Sequence, residues 1–215
     1  TRADDLFISD NTFFPINSGA QFFEFISDEL IPFLEDNYRL NDFKVAVGHG
    51  DSANYIQFFA FKNKAVFQAY IALSPSLTPY MTDNLTSFLS DIKTPLFYYM
   101  ATGTKDFGEN RTQILELNTK IEAIESEHLF YAFDNFEGAN HYALANQSIP
   151  KALQHVFLVY QPISRAEYKN HILPLETSPV DYLIEKYEMI EQLFDIEKQI
   201  LVNDFRAIAT AINKN

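Results

Sequence analysis

Val47-Gly48-His49-Gly50-Asp51-Ser52-Ala53 is the stretch where one apolar spacing gives way to another. Before it, Phe43-Lys44-Val45-Ala46-Val47 is a short apolar run closed by Gly48, the pattern of a buried strand. After it, Ala53 to Lys62 spaces its apolar residues as a helix packed on that strand does. A tight turn joins the two. Gly50 stands at the apex of that turn.

The same alternation continues outward. Phe67–Leu73, Pro95–Ala101 and His128–Phe133 read as further strands, and Asp83–Ser90, Arg111–Glu125 and Ser148–Val159 as the helices between and after them. Strands that alternate with helices, and that are apolar throughout, predict a parallel α/β sheet covered on both faces. Towards the N-terminus, residues 1–17 read as loop. A helix is expected from Ser18, with Gln21 completing a capping box, and Pro32 bends it or marks its last turns. Towards the C-terminus, 161–177 reads as a linker. Pro179–Phe194 and Asn203–Asn213 are amphipathic helices, capped by Ser178 and Asn203.

Composition narrows the classes of function. The 215 residues carry a formal net charge of −13, with 21 Phe, 12 Tyr and no Trp. An acidic chain repels phosphate backbones and anionic bilayers, so no nucleic-acid partner is expected. No apolar run approaches the ~20 residues of a membrane helix, so no membrane insertion is expected either. The absence of cysteine excludes thiol catalysis, thiolate zinc and disulfides. His128, His155 and His171 have no metal-ligand spacing. Neither a metal nor a cofactor is expected, and no targeting signal assigns a compartment.

With EFISDELIPFLEDNYR before the turn, AYIALSPSL after it and FEGANHYAL near the end, the chain resembles the putative-esterase family of α/β-hydrolases, which includes esterase D-like and enterobactin-esterase-like enzymes. The resemblance runs from Gly19 to Tyr160. Some bacterial members also carry a C-terminal helical extension, a looser match to residues 178–215. It implies an α/β-hydrolase-type parallel sheet flanked by helices and a serine hydrolase of carboxylic esters. The expected organisation is the C-terminal portion of a hydrolase domain (1–160), a linker (161–177) and a helical extension (178–215). Only 43 residues precede Lys44, fewer than the early strands of that fold need. The expectation is that roughly 100 or more residues, the N-terminal half of the fold, lie outside this sequence.

In such enzymes the turn is the nucleophile elbow G-x-S-x-G. Here Gly48 supplies the first glycine and His49 the next position. The nucleophile position is Gly50, and Ser52 stands where the closing glycine would be. The resemblance puts the catalytic histidine on His141, in Gly138-Ala139-Asn140-His141, and the carboxylate on Asp106, with Glu109 in reserve. The oxyanion hole would use the Asp51 N–H and a second donor from an earlier loop. Glycine cannot form an acyl-enzyme. The expected function is therefore a hydrolytically inactive pseudo-esterase that binds a small-molecule ester or a protein partner. The alternatives are an active ester hydrolase, with Gly50 engineered or another group attacking, and a subunit of a larger assembly. Ser52 as a displaced nucleophile is disfavoured by its place in the first helical turn. Ser74 and Ser76 are expected as cleft-lining or capping residues.

Overall fold

The computed structural model describes residues 1–62 and 65–214. Asn63, Lys64 and Asn215, which fall in the expected ranges 1–160 and 178–215, lie outside the described residues. The chain forms two compact units. One comprises Thr1–Leu40 and Lys44–Val156, and the other Asn41–Phe43 and the chain from Phe157 onward.

The first unit is built on four parallel strands in the order β1 (Val45–His49), β2 (Ala69–Leu73), β3 (Leu96–Lys105), β4 (Leu129–Asn140). Strand side chains alternate between the two faces. Ala46, Tyr70, Ala72, Tyr98 and Met100 enter one core with the connecting helices, which are α4 (Asp51–Gln57), α5 (Met81–Asp91) and α6 (Gly108–Glu122). Phe97 and Tyr99, on the opposite face, meet His155 of α7 (Leu144–Val156). Tyr55, Phe58 and Phe59 thicken the first core at the end of α4 and the 3-10 turn that follows it. β1 lies at the edge of the sheet, and Val47 on it is 53% exposed.

Several boundaries differ from the sequence reading. A short helix, α1 (Arg2–Asp5), sits within the stretch expected as loop. The helix expected from Ser18 begins at Asn17 as α2 (Asn17–Glu24), and no capping box forms, because Ser18 Oγ donates to the Asp4 carbonyl (2.6 Å). It passes through a π-helical turn, Phe25–Leu30, into α3 (Ile31–Asn37). Pro32 cannot donate to the carbonyl four residues back, and the wider turn just before it absorbs that break. β4 extends to Asn140, well beyond the expected Phe133, because its pairing with β3 continues past a register shift between Gly103 and Lys105. α7 begins at Leu144 and carries Pro150 within it.

The second unit contains α8 (Arg165–Glu167), a π-helical turn Tyr168–Ile172, α9 (Pro179–Phe194) and α10 (Val202–Ile212). Ser164 and Glu167 form a full capping box in the stretch expected as a linker, and Ile172 is buried with Leu183, Ile208 and Ala211. Ser178 caps α9 through Val180 N (3.2 Å). Asn203 does not cap α10: the N-cap is Leu201, which offers no side-chain acceptor. The neighbouring Asp204 is instead buried and accepts hydrogen bonds from Ile163 N and Tyr187 Oη, both at 2.8 Å. No helix among the described residues is long and apolar enough to cross a membrane.

Candidate functional site

Four residues that each directly follow a strand meet at one end of the sheet: Gly50 after β1, Ser74 after β2, Asp106 after β3 and His141 after β4. Parallel strands put all their C-terminal ends on one side, which is why α/β sheets carry their crevices there.

The turn after β1 is as tight as the sequence requires. Gly50 has φ 64° and ψ −123°, a region that favours glycine. Its N–H donates to the Leu73 carbonyl (2.9 Å), and its own carbonyl accepts from Ala53 N, Asn54 N and Ser76 N at 3.0–3.2 Å. A side chain on Gly48 would strike the backbone of Ser52 and Ala53, so the first glycine of the motif is sterically required. Ser52 is committed to the turn itself: its Oγ accepts from His49 N and donates to the His49 carbonyl, both at 2.9 Å. Asp51 opens α4, so its N–H is among the first-turn amides that lack an intrahelical acceptor.

His141 faces the apex of this turn. A Cβ built on Gly50 lies 3.4 Å from His141 Nε2 and 3.5 Å from Cε1. A hydroxyl carried on that carbon would come within hydrogen-bond reach of Nε2. On its other side, His141 Nδ1 is 3.1 Å from Asp106 Oδ1 and 3.0 Å from Ser74 Oγ. The imidazole stacks with His49 (centroids 4.3 Å) and Phe107 (4.6 Å), and Tyr142 stands edge-on at 5.5 Å. These rings leave only 14% of the His141 side chain exposed.

The Asp106 side chain is fully buried. Burial opposes its charge, but hydrogen bonds from Ser74, Thr102 Oγ1 (2.9 Å), Phe107 N (2.9 Å) and His141 outweigh that cost and hold its pKa below the ordinary aspartate value. Glu109, the reserve candidate, is exposed in the first turn of α6. Beside the turn opens a cleft of about 530 Å³, with Asp51, Asn54, Ser76 and Thr78 on one side and Leu6 and Phe7 on the other. That volume is within the range of small-molecule sites.

The structure therefore brings together Gly50, His141, Asp106 and His49, puts Asp51 on the adjoining cleft and turns Ser52 into the backbone. Sequence reasoning expected Ser74 as a cleft-lining or capping residue without setting it against His141, and it singled out neither Thr102 nor Phe107. The available signal was position: Ser74 ends one parallel strand as Asp106 ends the next.

No known protein-family profile matches the sequence, and no curated protein matches it. Solved structures do. An uncharacterised protein from Capnocytophaga ochracea is 30% identical with a TM-score of 0.87, covering 98% of this chain and 59% of its own. The BES protein from Bacillus cereus is 24% identical with a TM-score of 0.62, covering 72% of this chain and 62% of its own. An IroE-like serine hydrolase from Shewanella oneidensis is 16% identical with a TM-score of 0.66, covering the whole of this chain and 69% of its own. The chain thus spans about three fifths of the length of the first two. The fold is that of an α/β-hydrolase.

Proposed function

We propose that this chain carries a serine-esterase site that has lost its attacking group and now binds an ester- or acyl-bearing small molecule without cleaving it. One observation carries the reading: the Cβ position of Gly50 lies 3.4 Å from His141 Nε2, with Asp106 at 3.1 Å behind the same ring. In such a site His141 would take the nucleophile's proton and Asp106 would stabilise the imidazolium that results. The Asp51 N–H would face the carbonyl oxygen as charge builds on it. Gly50 offers no oxygen, so no acyl-enzyme forms, and what remains is recognition. In a serine protease, loss of the serine alone costs on the order of 10⁶ in turnover. The serine-hydrolase description of the Shewanella protein supports this ancestry.

The competing reading, an active hydrolase with a displaced nucleophile, is disfavoured by Ser52, whose hydroxyl is taken up by His49 at both its donor and acceptor sites. Assembly with further chain segments is supported by a different observation, the edge position and exposed Val47 of β1.

The test is hydrolysis of a short-chain p-nitrophenyl ester by the intact protein. No turnover above background is expected from the native chain, and measurable turnover that needs His141 is expected after Gly50→Ser. Native turnover abolished by His141→Gln would overturn the proposal.

A further inference from the structure

Ser74 is wholly buried and has φ 45°, a left-handed conformation that side chains rarely adopt. Its N–H donates to the Ala101 carbonyl (2.8 Å), which ties it to the end of β3. Glycine would fit that backbone with less strain, so what serine adds is its hydroxyl. That hydroxyl lies 3.0 Å from His141 Nδ1 and is among the groups that favour the charged form of Asp106. An ionised carboxylate can only accept. Because an acceptor-only carboxylate already faces Nδ1, that nitrogen is the donor, the Ser74 oxygen presents a lone pair to it, and the Ser74 O–H is left to donate towards Asp106. Asp106 Oδ1 faces the same nitrogen at 3.1 Å. Two acceptors converge on Nδ1, which satisfies both only if Nδ1 carries a proton.

We infer that Ser74 is a positioning residue that, with Asp106, fixes His141 as the Nδ1–H tautomer, leaving the Nε2 lone pair aimed at position 50. The inference rests on reading His141 as the former catalytic base, but its first test needs no activity. The other titratable groups against the ring are His49, stacked on it, and Tyr142 at its edge. Ser74 Oγ and Asp106 Oδ1 face Nδ1 itself, at 3.0 and 3.1 Å, so the tautomer is set from that side.

Long-range proton–nitrogen NMR on histidine-labelled protein reads the tautomer directly, with His141→Gln assigning the signal among the five histidines. At about pH 9, where an unperturbed imidazole is neutral, native His141 is expected as Nδ1–H. Ser74→Ala and Ser74→Gly should each lower the tautomer ratio about tenfold, the scale of losing one hydrogen bond. Ser74→Gly also relieves the backbone, so a purely structural serine would leave the ratio unchanged in that folded variant. In the Gly50→Ser background, Ser74→Gly should lower kcat about tenfold with KM little changed. A native His141 found as Nε2–H, or a ratio unmoved in both variants, overturns the inference. Should Gly50→Ser fail to hydrolyse esters while the tautomer responds to Ser74, the proposed function falls and the role of Ser74 stands.

Discussion

Gly50 suits its backbone better than a serine would. At φ 64° and ψ −123° a non-glycine residue carries strain of about 1–3 kcal/mol. Active hydrolases of this fold accept such a cost because the turn lifts the nucleophile above the sheet. Here the turn persists without that cost. Asp106 shows the opposite economy, a buried charge kept ionised by four hydrogen-bond donors. Since its pKa is depressed in the folded state, its stabilisation is fully present above the unfolded value of about 3.9 and is lost as pH falls through the lower folded value. The stability advantage of the native protein over Asp106→Asn should thus be greatest near neutral pH. It should shrink as the pH is lowered from neutrality to below the ordinary aspartate value of about 3.9. Urea midpoints measured across that range check this, and an advantage that grew on acidification would contradict it.

Among the strands, β1 and β4 form the two edges of the sheet, and β1 carries an exposed apolar residue. It pairs with β2 alone among the described residues, and Val47 is 53% exposed. An unprotected apolar edge strand invites pairing with another chain, and a lysine there opposes it. Val47→Lys in the 215-residue chain should lower self-association, read by sedimentation at increasing concentration, with little change in unfolding midpoint. Equal association in both proteins would show that β1 is not the contact. The strands and most helices were legible in the sequence, because apolar runs and helical spacing are local signals. The caps were less so. Ser18 and Asn203 have the right side chains, but the first found a carbonyl from another helix and the second fell inside its helix. Ser164 and Glu167, which do form a capping box, sat in a stretch whose prolines read as linker. β4 outran its apolar signal because pairing with β3, a non-local interaction, extends it to Asn140.

At the scale of the whole molecule, the site is legible from topology more than from any single motif. Gly50, Ser74, Asp106 and His141 are spread along the chain, yet each is the residue directly after a parallel strand, and the fold lines up those positions on one side. Family resemblance pointed to three of the four. The fourth, Ser74, required knowing which strand ends are neighbours. The most direct measurement is labelling of the intact protein by a fluorophosphonate, read by mass spectrometry. An unlabelled native chain is expected, together with a Gly50→Ser variant labelled at position 50 only. A native chain labelled at any serine, in a manner blocked by His141→Gln, would show that this site still has a nucleophile.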